Sequence, residues 1–132
     1  MRISFDSLVP VYMQIAEAIE DDIISGRLPE GGAAYSQLII SREVNVNPAT
    51  AAKGINVLVS KGILEKQRGA SMTVASGAVE KLLKERKDKG FRDLINTLVS
   101  EANKIGLTQD DVQNEIKEYY THLYTKGVGN RE

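Results

Sequence analysis

The chain has 132 residues, 42% hydrophobic and 27% charged, a composition that suits one compact domain with a short appendage and excludes both a disordered polymer and a large catalytic cavity. Seventeen Lys and Arg against eighteen Asp and Glu leave a net charge of -1, so bulk charge gives no argument for a polyanion partner and any nucleic-acid reading rests on local charge. With no cysteine, disulfides, thiolate metal sites and thiol nucleophiles are excluded; no apolar run approaches the roughly 20 residues that span a bilayer, so a cytoplasmic location without a membrane partner is expected.

In chain order, Pro10 opens a first helix, along which Tyr12, Ile15, Ala16, Ile19 and Ile23 recur at three- and four-residue spacing until Gly26 stops it. Its acids, Glu17 to Asp22, are expected on the outer face. Turn residues follow from Arg27 to Gly32, and Ser36 is a candidate N-cap for a short helix through Leu38, Ile39 and Ile40 to about Glu43. Asn47-Pro48 is the sharpest local signal, because Asn caps a helix and Pro at its first position loses no hydrogen bond. The helix that begins there carries Ala51, Ala52, Ile55, Leu58 and Val59 on one stripe and ends at Gly62. Two short helices joined by Val44-Asn45-Val46 form a helix-turn-helix. Ile63 to Gln67 and Ala70 to Val74 then read as two strands of a hairpin about Arg68-Gly69, a wing.

Beyond Gly77 the pattern is helical. An apolar stripe begins at Val79, Leu82 and Leu83, lapses from Lys84 to Gly90, and resumes at Phe91, Leu94, Ile95, Leu98, Val99, Ala102 and Ile105. Thr108 and Asp111 have capping-box spacing ahead of a last helix with Val112, Ile116, Tyr119, Tyr120 and Leu123 on one face. The fold class is therefore mainly α with a small β-hairpin: a winged helix-turn-helix domain over residues 1–75 and a two-helix tail over 76–132. A helical pair of this size cannot hide both stripes by itself, so the tail is expected to pair with a second copy.

Charge is unevenly spread. Arg42, Lys53, Lys61, Lys66 and Arg68 face only Glu43 and Glu65 between residues 42 and 68, whereas Glu17 to Asp22 holds four acids and no base. In a helix-turn-helix the start of the second helix enters the major groove, which makes Asn47, Ala49, Thr50 and Lys53 candidates for DNA contact. Ser36, with Gln37, can meet a phosphate at the preceding helix start, although a plain helix cap explains Ser36 and Asn47 as well. Lys66, Arg68 and Gly69 on the wing can lie along the DNA backbone or in the minor groove. Lys81 to Lys89 alternate with acids and read as a solvated face. His122 has no second histidine to share a metal, no cofactor motif occurs, and no acid, base and nucleophile converge, so an enzyme is not expected.

Taken together, Pro10-Val11-Tyr12-Met13-Gln14-Ile15, the Gly26 to Gly31 turn, Val46-Asn47-Pro48-Ala49-Thr50, Lys61-Gly62-Ile63-Leu64-Glu65 and Arg68-Gly69 resemble the winged-helix domain of GntR-type bacterial transcription regulators over about residues 8 to 75. The short tail resembles that of the YtrA-like branch. The resemblance implies a homodimeric regulator, most simply a repressor, that binds a near-palindromic DNA operator, in a branch often associated with transporter operons. Where the family commonly has a DNA-contacting arginine, this chain has Leu38, and the common recognition-helix arginine is Lys53. The alternative is a winged-helix protein-interaction module that uses the Leu38 surface and binds no DNA. Phe91, Leu94, Leu98, Ile116, Tyr119 and Tyr120 are the expected dimer residues. A small-molecule effector, if one acts, is expected between paired tails near Phe91, Tyr119, Tyr120 and His122.

Overall fold

The computed structural model describes residues 1–67 and 72–125. Its elements are α1 (Val11–Ile24), α2 (Gln37–Val44), α3 (Pro48–Ser60), β1 (Leu64–Lys66), β2 (Met72–Val74), α4 (Ala78–Glu85), a π-helical turn (Arg86–Phe91), α5 (Arg92–Lys104) and α6 (Gln109–Thr125). They divide into two compact units, Met1–Lys87 and Asp88–Glu132.

The core of the first unit collects the apolar stripes of its helices. Ile15, Ile19 and Ile23 of α1 pack with Ile40 of α2, Ala51, Ile55 and Leu58 of α3, and Ile63, Leu64 and Val74 around the hairpin. Helices α1 and α3 cross closely because Gly54 stands at the contact: a Cβ there would lie 2.9 Å from both the Tyr12 carbonyl oxygen and Ile15 Cγ2. Strands β1 and β2 pair antiparallel, Leu64 opposite Val74 and Lys66 opposite Met72. On its other edge β2 takes the chain leading into α2: Gly31 and Ala34 donate to the Val74 and Met72 carbonyls at 2.8 Å each, and Val74 donates to Gly32 at 2.9 Å.

The domain boundary differs from the one expected after residue 75. Ala78 and Leu82 of α4 are each only 1% exposed and belong to the first unit's core, which continues to Lys87. Glu30 fixes the start of this helix, since its carboxylate accepts from the Gly77 and Val79 amides at 2.9 and 3.0 Å. Leu83, expected on the same stripe, is exposed. The lapse from Lys84 to Gly90 is also not an interruption, because the helical backbone passes through it as a π turn.

Nor do all the acids of α1 lie outside. Glu20 is 6% exposed and is held by Lys61 Nζ at 3.0 Å and Arg86 Nη2 at 3.1 Å. Arg86 also reaches Asp21 at 2.8 Å, and Lys61 reaches Glu85 at 3.1 Å. Burial alone would pull Lys61 and Arg86 down, but hydrogen bonds to these carboxylates outweigh it and hold both cations above their ordinary pKa. One ionic cluster thus ties α1, the end of α3, the end of α4 and the first residue of the π-helical turn.

In the second unit the Thr108–Asp111 capping box forms as expected: the Thr108 amide donates to Asp111 Oδ2 at 2.8 Å and the Asp111 amide to Thr108 Oγ1 at 3.1 Å. Its apolar side chains stay open. Among the described residues of this unit only Ala102 is buried, while Leu94, Ile95, Leu98, Val99, Ile116, Tyr119 and Tyr120 are all exposed.

Candidate nucleic-acid interface

Both helices of the helix-turn-helix begin with a side-chain cap. Ser36 Oγ accepts from the Ile39 amide at 3.1 Å, and Asn47 Oδ1 accepts from the Ala49 amide at 2.8 Å. The capping role considered for these two residues is therefore their observed role. Each cap satisfies one amide of a helix start, and the uncapped amides of a helix start are the kind of donors that can receive an anion. Between the helices Asn45 takes a left-handed conformation, φ 55°, which its short polar side chain tolerates. Ser41 then pins the turn: its hydroxyl donates to the Val46 carbonyl at 2.6 Å, and its own carbonyl accepts from the Val46 amide at 3.1 Å.

Helix α3 has two distinct sides. Ala51, Gly54, Ile55 and Leu58 are buried, whereas Asn47, Ala49 and Lys53 are exposed and Thr50 is half-buried. The Lys53 ammonium does not trail into solvent but sits 4.1 Å above the centre of the Tyr12 ring on α1. Gln37 is exposed at the first position of α2, and Lys66 is exposed on β1. Arg68 and Gly69 lie outside the described residues. The pairing of β2 with residues 31–34 brings the wing and the approach to Ser36 onto one continuous backbone network.

Lys61, part of the local basic excess, is committed to Glu20 and Glu85. Leu38 and Ile39 are about half exposed, at 51% and 52%, so the outer face of α2 is apolar next to its capped start. Sequence reasoning placed Tyr12 only on the apolar stripe, and it passed over Tyr35, whose hydroxyl donates to Asp22 at 2.5 Å. That bond to the Asp22 carboxylate pushes the Tyr35 pKa up to about 12.

In the second unit, the cleft between α5 and α6 has a volume of about 400 Å³ and is lined by Ile95, Leu98, Val99, Ala102, Leu107, Val112 and Ile116 among others. Of the expected dimer residues, Leu98 and Ile116 line it; Phe91, Leu94, Tyr119 and Tyr120 are exposed elsewhere on the unit, Tyr120 stacked on Tyr124. Among the described residues no cluster of His, Cys, Asp and Glu could hold a metal ion, and no helix is long and apolar enough to cross a membrane.

A helix-turn-helix with capped starts, followed by a paired hairpin, defines a winged helix-turn-helix fold. No family model matches the chain. It is 29% identical over 115 residues, 87% of its length and 93% of the relative's, to the uncharacterized HTH-type transcriptional regulator YhcF of Bacillus subtilis. It is similar to a GntR-family regulator of Bacteroides thetaiotaomicron, with 27% identity and a TM-score of 0.68 over 85% of this chain and 97% of that one. It is also similar to YtrA of Sulfolobus acidocaldarius, a GntR-family transcription factor, with 26% identity and a TM-score of 0.54 over 94% and 99% of the two chains. The chain is thus similar to transcription regulators of the GntR family, and the likeness to YtrA takes in residues of both units.

Proposed function

We propose that this regulator is a repressor that binds a near-palindromic DNA operator as a homodimer, in the cytoplasm, and that the operon it controls encodes a transporter. The observation that carries DNA reading is the exposed side of α3: Asn47, Ala49, Thr50 and Lys53 stand at or near the solvent on a helix whose opposite side is locked into the core. Gln37, Lys66 and, beyond the described residues, Arg68 and Gly69 complete the proposed contact set, with the amides at the Ser36 cap meeting a phosphate.

Homodimerisation is supported by the second unit. Its exposed Leu94, Leu98, Ile116, Tyr119 and Tyr120, together with the open α5–α6 cleft, are more apolar surface than a two-helix unit leaves to water. A second copy supplies the matching apolar stripes and a two-fold axis that suits a palindrome. Any small-molecule effector would act in this unit, near Phe91, Tyr119 and Tyr120 as the sequence suggests.

Selection of genomic fragments by the purified chain tests the reading. A short inverted repeat bound with steep salt dependence is the expected result, since phosphate contacts release counterions. The apolar Leu38–Ile39 face favours a second reading, a protein-interaction module. Absence of duplex binding, with a salt-insensitive protein partner lost on Leu38→Ser, would establish that second reading and refute the first.

A further inference from the structure

We propose that Tyr12 is a positioning residue for DNA binding: its ring holds the Lys53 ammonium for a backbone phosphate and away from the base edges. This rests on the DNA-binding reading above and adds a division of labour within α3.

Lys53 is exposed, and an exposed lysine ordinarily samples many rotamers and gives up that freedom on binding. Here the ammonium lies 4.1 Å from the centre of the Tyr12 ring, within cation–π range. The ring is itself fixed. Tyr12 is half-buried, and its backbone is at the α1–α3 crossing, where its carbonyl oxygen lies 2.9 Å from the place a Cβ on residue 54 would occupy. A cation held on an aromatic face still has N–H groups turned away from the ring, free to meet phosphate oxygens. An ammonium is a compact point charge, well suited to phosphate and without the fork that reads a guanine edge in two bonds. Drawn toward α1, Lys53 leaves the beginning of α3 to Asn47, Ala49 and Thr50. These are uncharged, and the choice of sequence falls to them.

The test is a double-mutant cycle on the full chain, with affinity measured for the selected operator and for a scrambled duplex over a range of salt. Lys53→Ala is expected to weaken both duplexes alike and to lower the salt slope by about one. Tyr12→Leu is expected to cost about two- to five-fold, the range of an exposed cation–π contact, and Tyr12→Phe to restore wild-type affinity because it keeps the ring. In the Lys53→Ala background Tyr12→Leu should cost nothing further. Comparison within each Lys53 background cancels any folding loss that Tyr12→Leu brings, and thermal unfolding measures that loss directly. Equal cost of Tyr12→Leu in both backgrounds overturns the proposal. So does a Lys53→Ala variant that loses preference at one base pair while binding scrambled DNA as before. In both cases the wild-type chain still binds its operator and the function stands; a wild-type chain with no salt-sensitive duplex binding refutes the function itself.

Discussion

The two units of this chain spend their apolar residues in opposite ways. In Met1–Lys87 the isoleucines and leucines of α1, α3 and the hairpin are almost wholly buried, and Glu20, Lys61 and Arg86 close the core with an ionic cluster. From Asp88 onward the same residue types recur at the same helical spacing, yet among the described residues Ala102 alone is buried. Periodicity reports that a face seeks burial; it does not report whether the covering surface belongs to the same chain.

The largest effect that can break this contrast comes from where the chain is cut. A chain ending after Lys87 should unfold cooperatively and remain monomeric. One ending after Val74 loses Ala78 and Leu82 from the core and should be destabilised by at least the roughly 2 to 5 kcal/mol that a buried leucine contributes, as read by urea unfolding. Equal stability of the two would show α4 to be an ornament of the first unit. Leu82→Ala in the full chain isolates part of the same loss, and Leu98→Ala provides the counterpart. The latter should lower stability in a manner that depends on protein concentration, because the proposed partner surface is on a second copy.

Gly54→Ala sharpens the comparison at the α1–α3 crossing. With backbone and Ile15 both 2.9 Å from the added methyl, about 1 to 3 kcal/mol of overpacking is expected, whereas Gly90→Ala, with nothing within 4 Å, should show none. Next come the caps: Ser36→Ala and Asn47→Ala should each cost about 0.5 to 2 kcal/mol, measured by thermal unfolding.

The smallest effects are those of pH. Backbone amides of Val79 and Gly77 hold Glu30 below the usual carboxylate range in the first unit, and Thr108 does the same for Asp111 in the second. For each, the unfolded chain takes up a proton at higher pH than the folded one. The contribution is therefore present above the ordinary carboxylate pKa and lost as pH falls through the depressed value. Tyr35 works in the other direction and only in the first unit: its stabilisation is complete below about pH 10 and fades as pH rises toward 12. Glu30→Gln and Tyr35→Phe should flatten the acid and alkaline limbs respectively.

What could be read from sequence follows from how far apart the interacting groups are. The caps at Ser36, Asn47 and Thr108 were legible because donor and acceptor lie within three residues. The exposed side of α3, with Asn47, Ala49 and Lys53, was legible for the same local reason. The Glu20–Arg86 pair joins residues 66 apart and the Glu30 cap of α4 joins residues 47 apart, and nothing in spacing announces either. The first unit runs past residue 75 through that second kind of contact, since Glu30 binds the start of the helix that follows Gly77. Lys53 was expected off the apolar stripe and is exposed, while its attachment to Tyr12, on a different helix, was not visible.

The close crossing at Gly54 also bears on how such a regulator changes over evolutionary time. On α3 the residues that set packing, Ala51, Gly54, Ile55 and Leu58, and the outward residues Ala49, Lys53 and Asn56 are interleaved in sequence but separated in space. Drift at the outward positions leaves the crossing untouched, so a duplicated copy can acquire a new target while inheriting its scaffold intact. Drift at position 54 has no such freedom. Glycine there is the fixed point about which the rest of the helix can diversify.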